Sequence, residues 1–267
     1  MTAETDQVRP ADVWRAADDA KKFLDQAAVE LAAVKKELDA ILRVEAGGHV
    51  LDVGCGTGAD VRALALRVGP TGKVVGLDSS EELIARAQPA GPGAAPVEFL
   101  HGEAGALPFA DATFDVARAE RVIEHVPDPA AAVAEMLRVV KPGGQVLITD
   151  PDHGLWAPDL DDRELTRRIM NWWGDHVPNP WVARRLRDLF VQAGAVDVRV
   201  RLQPVVLDSL AAADALTWVS KAAGAAAAQG IADPEQARAW GDEIVRRDAQ
   251  GRFLMFGTFV VVTGTKR

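Results

Sequence analysis

The segment Val50-Leu51-Asp52-Val53-Gly54-Cys55-Gly56-Thr57-Gly58 restricts the fold of this chain more than any other. An apolar run ends in a turn with glycine at every second position, and helical spacing resumes at Ala59. That pattern describes a buried strand passing through a tight loop into a helix. Glycine in such a loop permits positive φ and lets the main chain come close to a ligand. Dehydrogenases use G-x-G-x-x-G after the same kind of strand, whereas the spacing here is G-x-G-x-G. Asp52, inside the strand end, is read as orienting the loop and as meeting a cationic group, directly or through water. About 20 residues past such a loop an acid is expected at the end of the second strand. Asp78 stands there, closing Val74-Val75-Gly76-Leu77-Asp78, and can accept two hydrogen bonds from a ribose diol. Up to this point a nicotinamide dinucleotide and another adenosine ligand remain equally open.

Downstream, short apolar runs alternate with helical stretches. The strands are expected at His49–Val53, Lys73–Asp78, Val97–His101, Phe114–Ala119, Gln145–Asp150, Val196–Gln203 and Phe253–Thr263. Helices are expected at Ala59–Val68, Ser80–Gln88, Pro129–Val140 and Trp181–Ala193. Alternation of this kind predicts an α/β fold with a doubly wound, seven-stranded, mostly parallel sheet and helices on both faces. Before it, apolar residues at Phe23/Leu24, Ala27/Ala28, Leu31, Val34, Leu38 and Ile41/Leu42 predict an amphipathic helix, ended by Gly47-Gly48. Two stretches exceed a minimal α/β unit. Both read as helical, through Asp162–Trp173 in the first and Pro234–Arg247 in the second. Five of the seven tryptophans (Trp156, Trp172, Trp173, Trp181, Trp218) fall between residues 156 and 218. Aromatic residues inserted at the carboxyl end of a parallel sheet suit a small-molecule pocket.

Composition narrows the chemistry. A formal net charge of −9 argues against nucleic acid as a partner. The single cysteine, Cys55, excludes an internal disulfide, and the absence of tyrosine excludes phenol chemistry. The five histidines, at 49, 101, 125, 153 and 176, are scattered and match no zinc spacing, so no metal site is expected. Neither a secretory leader nor an apolar run of membrane-spanning length is visible, and the expected location is cytoplasmic.

Three further segments separate the ligand classes. His101-Gly102-Glu103-Ala104 is followed by Leu107-Pro108-Phe109. The run from Phe114 to Glu120 leads into Val122-Ile123-Glu124-His125-Val126-Pro127, and Leu137 to Gly144 ends in Lys141-Pro142-Gly143-Gly144. In this order they closely resemble class I S-adenosylmethionine-dependent methyltransferases, in the small-molecule branch with the ubiquinone and menaquinone C-methyltransferases. The resemblance is strong over residues 47–150 and rests on element order alone over 181–203 and 253–267. It implies S-adenosyl-L-methionine as cofactor. Gly54, Gly56 and Gly58 would face its methionine and ribose, with Asp52 supporting them. Asp78, with Ser79 beside it, would hold the ribose hydroxyls. Glu103 and Ala104 would receive the adenine, and Ala119 and Glu120 the amino group. The departure from the pattern is Glu120-Arg121, where many relatives carry small or neutral residues.

His125 is the candidate catalytic base, with a scaffold role as the competing reading. His153 and His176, in the first insertion, are further candidates for that role, and Asp150 and Asp152 flank Pro151 at the end of the fifth strand, facing the expected active-site side. The arginines at 163, 167, 168, 184, 185 and 187 read mainly as a solvated helix face. The chain is thus expected to be a single methyltransferase domain over 1–267. A helical lid would span 1–46, with Lys36 near the cofactor carboxylate. The cofactor core would span 47–150, 181–203 and 252–267, and helical insertions at 151–180 and 204–251 would form the acceptor pocket. The expected acceptor is a small molecule of secondary metabolism, aromatic or polyketide-like, with no nucleic-acid or membrane partner and the oligomeric state open. The alternative is a cofactor-binding cyclase or isomerase on the same scaffold.

Overall fold

The computed structural model describes residues 26, 27 and 30–267. Phe23 and Leu24, expected to belong to the lid, lie outside the described residues. The described chain forms two compact bodies. One, the sheet body, comprises Val34–Pro151, Trp181–Gln203 and Phe259–Arg267. The other, the helical body, comprises Asp152–Pro180 and Pro204–Thr258 with the described residues that precede Val34.

In chain order the elements are α1 (Ala32–Ile41), β1 (His49–Val53), α2 (Ala59–Val68), β2 (Lys73–Asp78), α3 (Glu81–Arg86), β3 (Val97–His101), β4 (Phe114–Glu120), α4 (Pro129–Val139) and β5 (Val140–Pro151). Then come β6 (Ala157–Pro158), α5 (Arg163–Gly174), α6 (Val182–Gln192), β7 (Val196–Leu207), α7 (Leu210–Thr217), α8 (Val219–Ala228), α9 (Pro234–Ala249) and β8 (Met255–Thr265). The strand order is β3-β2-β1-β4-β5-β8, with β7 and the two-residue β6 also paired to β8. Strands β3 to β5 run parallel, and β8 is antiparallel to β5. Among the described residues the sheet has eight strands rather than the seven expected, because two paired residues leave no periodic trace in a sequence.

Parallel strands covered on both faces should be apolar throughout. Accordingly β1 buries Val50, Leu51 and Val53, and β2 buries Val74, Val75 and Leu77. Helices α4 and α6 fill one face with Val133, Met136, Leu137, Leu186 and Phe190, which join a core containing Leu51, Ile123, Ile148 and Val262. Asp128 caps α4, its Oδ1 accepting from the N–H groups of Ala130 and Ala131 at 3.0 Å, with Pro129 opening the first turn. Asp233-Pro234 repeats that start at α9, since proline at the first helical position loses no hydrogen bond.

The segment Pro142-Gly143-Gly144 lies within β5. The β4–β5 register jumps between Phe114↔Val140 and Val116↔Gln145, so the three residues form an irregularity inside a longer strand. Their main chain is satisfied by the end of β8, where Gly143 N–H donates to Lys266 O and Lys266 N–H to Gly144 O.

The helical body has its own interior. Trp240 Nε1–H donates to Thr166 Oγ1 at 2.9 Å, and Trp173 Nε1–H to Thr217 O at 2.7 Å. Trp156 packs so tightly on Gly257 that a Cβ there would come within 2.1 Å of the indole. Among the described residues no helix is long and apolar enough to cross a membrane.

Candidate active site

The glycine loop leaves β1 at Val53. Gly54, Gly56 and Gly58 all take positive φ, at 72°, 54° and 77°. The N–H groups of Gly54 and Cys55 both donate to Leu77 O, at 2.7 and 3.1 Å. A Cβ on Gly58 would sit 2.5 Å from Phe99, so the loop is packed from outside as well as strained within. Asp78 holds the centre. Its Oδ2 accepts from Gly56 N–H at 2.7 Å and its Oδ1 from Ser80 N–H at 2.8 Å. A carboxylate has about four acceptor positions, so Asp78 fixes the loop and keeps capacity for further donors. Loop orientation, expected of Asp52, is carried out by Asp78. Ser79 is exposed beside it, and its carbonyl meets His101 Nε2 at 3.1 Å. After β3, Glu103 is exposed and Ala104 buried. Cys55 is buried, and burial, followed by the charges of Asp52 and Asp78, pushes its thiol up, away from reactivity.

Asp52 does meet a cation, and it belongs to the protein. The register sets Asp52 of β1 beside Arg118 of β4, with Asp52 Oδ1 3.4 Å from Arg118 Nε. Two residues on and on the same face, Glu120 Oε2 accepts from Arg118 Nη2 at 2.5 Å. Asp60, in the first turn of α2, accepts from Arg118 at 3.2 Å and from Lys35 Nζ at 2.6 Å. Lys35 also lies 3.2 Å from Glu120. The group therefore combines three acids and two cations. Burial is the largest influence on Asp52 and raises its carboxyl to about 7 against the pull of Arg118, while Asp60 is held below its ordinary value by Arg118 and Lys35 despite its burial.

Sequence reasoning passed over Arg118, Asp60 and Lys35. Arg118 carried a signal, as a cation set between the apolar Ala117 and Ala119 within β4. For Lys35 the expectation fell on its neighbour Lys36, which is exposed.

Ala119 is buried at the end of β4. Beyond Glu120 the chain turns through Arg121, a non-glycine residue at φ 58° whose N–H donates to Thr149 O at 2.8 Å. The segment that follows carries Glu124, which is buried, and His125, whose Nε2 is 3.5 Å from Glu124 Oε1. The sheet body carries Asp52, the glycines, Asp78, Ser79, Glu103, Ala104, Ala119, Glu120 and His125 at the carboxyl ends of β1, β2 and β4 and on the segments that follow β1 to β4. His153 and His176 belong to the helical body, where His176 packs edge-on against Trp172 at 4.4 Å between centroids. Trp172 is half-buried and its neighbour Trp173 buried. No cluster of three potential metal ligands occurs among the described residues.

Comparison with known proteins follows this geometry. Residues 51–148 match the family model described as a methyltransferase domain. A demethylmenaquinone methyltransferase of Shouchella clausii is 35% identical over 176 residues, covering 59% of this chain and 74% of that protein. The chain belongs to the class I S-adenosylmethionine-dependent methyltransferases.

An uncharacterised 37.1 kDa protein in transposon TN4556 of Streptomyces fradiae is similar over more of this methyltransferase, 35% identical over 252 residues, or 92% of this chain and 71% of that one. Against a Bacillus relative named as a demethylmenaquinone methyltransferase, the match spans about half of the relative's length. Among solved structures, a Bacillus halodurans protein provisionally classed as a methyltransferase superposes with a TM-score of 0.60 at 20% identity, over 86% of this chain and 97% of that one. At that identity the likeness is one of fold.

The donor set of this methyltransferase fits S-adenosylmethionine. The cofactor carries a sulfonium and an ammonium, and the carboxyl ends of β1, β2 and β4 offer Asp52, Asp78 and Glu120, with acids outnumbering cations.

Proposed function

We propose that this methyltransferase alkylates a small aromatic or polyketide-like metabolite. The observation that carries the donor half is Asp78, whose Oδ2 accepts from Gly56 N–H in the glycine loop while its Oδ1 accepts from Ser80 N–H. S-Adenosylmethionine supplies, when bound, a methyl group already attached to a good leaving group. Much of the rate then comes from alignment and from exclusion of water. Asp78 and Ser79 hold the ribose side, Glu103 and the main chain at Ala104 the adenine, and Ala119 with Glu120 the amino group. His125 takes the proton of an acceptor that has one to lose. Support for an aromatic acceptor comes from the relatives named as demethylmenaquinone methyltransferases. The half-buried Trp172, set against His176, supports acceptor contacts in the helical body.

Calorimetric titration with S-adenosylmethionine tests the donor half. Asp78→Ala is expected to weaken binding by about one to two decades, the scale of a charged hydrogen bond. Unchanged affinity in the folded variant removes Asp78 from the site. Incubating the protein with metabolite pools and S-adenosylmethionine, and following a donor-dependent mass gain of one methyl, tests the acceptor half.

A further inference from the structure

Glu124 has no part in the steps above, yet it is buried against two groups that titrate. Its Oε1 lies 3.5 Å from Nε2 of His125, and its own N–H donates to Asp150 Oδ1 at 3.3 Å. Asp150, next to last in β5, is fully buried, and its Oδ2 has no hydrogen-bond partner among the described residues. Burial first, and the charge of Glu124 next, raise the Asp150 carboxyl well above the ordinary range, against the N–H groups of Glu124, Ile123 and Val122. Two carboxyls so placed do not both ionise. That favours the protonated form of Asp150 and leaves Glu124 as the acid set against the imidazole.

We propose that Glu124, seated on Asp150, is the positioning residue that holds His125 as the base of the methyl transfer. The inference rests on the reading of this site as one that methylates a proton-bearing acceptor. A carboxylate against Nε2 favours the tautomer protonated there, which makes Nδ1 the basic nitrogen. As the new bond from acceptor to methyl carbon forms, the sulfur–carbon bond breaks with its electron pair left on sulfur. The acceptor's proton passes to the imidazole, and Glu124 meets the charge the ring has gained. Glu124 and Arg121 share the segment of His125, Asp150 of β5 accepts from Glu124 N–H, and Asp128 has its Oδ1 engaged by Ala130 and Ala131. The arrangement separates the two acids by role. Glu124 orients and stabilises, while the neutral Asp150 offers its main-chain partner a fixed acceptor and adds no charge.

The test is a proton NMR titration of the full-length protein, with the His125 resonance assigned by its disappearance in His125→Gln. The wild-type imidazole is expected to titrate above the ordinary value of about 6.5. Glu124→Gln should lower it by about one unit, the scale of losing an adjacent charge, and Glu124→Asp should recover part of that shift. Asp150→Asn replaces one neutral group by another and should leave the titration in place. A Glu124→Gln titration matching wild type overturns the proposal, and so does a wild-type value below the ordinary one. Should Glu124→Gln fail to fold, the wild-type value and Asp150→Asn decide, and a large shift in Asp150→Asn counts against the division of roles. S-Adenosylmethionine titrated into the wild-type protein is read separately. Its failure to bind removes the methyl-transfer reading, whereas the His125 titration stands or falls on Glu124 alone.

Discussion

Arg118 in the sheet body and Arg247 in the helical body each grip three carboxylates, and the two sets differ in how far the acids are removed from water. Around Arg118, itself 6% exposed, the side chains of Asp52, Glu120 and Asp60 are 5%, 9% and 26% exposed. Around Arg247, at 9%, Glu243 is buried at 11%, but Asp159 and Asp161 are 68% and 82% exposed. The hydrated acids keep most of their solvation, so such pairs contribute little and are lost cheaply. Arg247 fastens α9 to the segment around Asp159 and Asp161, and its Glu243 also accepts from Asp161 N–H at 3.0 Å. The acids around Arg118 are tolerable only as a set, because removing one partner strands the others in a medium that solvates them poorly. A core built for stability alone would be better served by apolar side chains. The set stands where the glycine loop leaves β1, so its cost coincides with the place proposed above for the amino group of the cofactor.

The sharpest break in this comparison is Arg118→Met, which leaves the buried Asp52 without its cation and Lys35 alone to face Glu120 and Asp60. A loss of about 3–5 kcal/mol is expected, measured by urea denaturation. The matching Arg247→Met should cost less, about 1–3 kcal/mol, mostly through Glu243. Equal losses would erase the distinction between the two sets.

Titration gives a second separation. In the folded protein Asp52 holds its proton up to about 7, against an ordinary value of 3.8. Between those values the folded state binds a proton that the unfolded chain has released. The stability due to Asp52 therefore falls as pH rises through that window. Asp60 has the opposite sign, contributing above its unfolded value and losing that contribution as pH falls. Denaturation midpoints of Asp52→Asn should rise relative to wild type between pH 4 and pH 8, and a constant difference would contradict a buried, proton-holding Asp52. The smallest effect is expected at the rim of the second set, where Asp159→Asn should cost at most about 1 kcal/mol.

Several elements were legible because each has a local cause. β1, β2, β3 and α2 have the boundaries their apolar runs and glycines suggest, and Asp128-Pro129 starts α4 where a cap and a first-turn proline should. What escaped was tertiary. The choice between Lys35 and Lys36 needed the angle to the buried face of α1. At about 100° per residue, Lys35 flanks the stripe of Leu31, Val34 and Leu38, and Lys36 lies nearly opposite it. The cluster at Arg118 assembles residues from α1, β1, α2 and β4, and no spacing along the chain declares such a meeting. Nor does any local pattern show that Pro142-Gly143-Gly144 is stitched to Lys266, more than a hundred residues away in sequence.

Gly54 has a consequence for how this chain can be altered. With a Cβ it would stand 2.2 Å from Cγ2 of Val122, so the loop that follows β1 and the segment that carries Glu124 and His125 touch with no room for a side chain between them. Neither can be rewritten alone. A larger residue at 122 would press on the loop, and any residue but glycine at 54 would press back. The two stretches are packed as one unit, and a graft that exchanges the segment carrying His125 while keeping this glycine loop has to bring a residue at 122 no bulkier than valine.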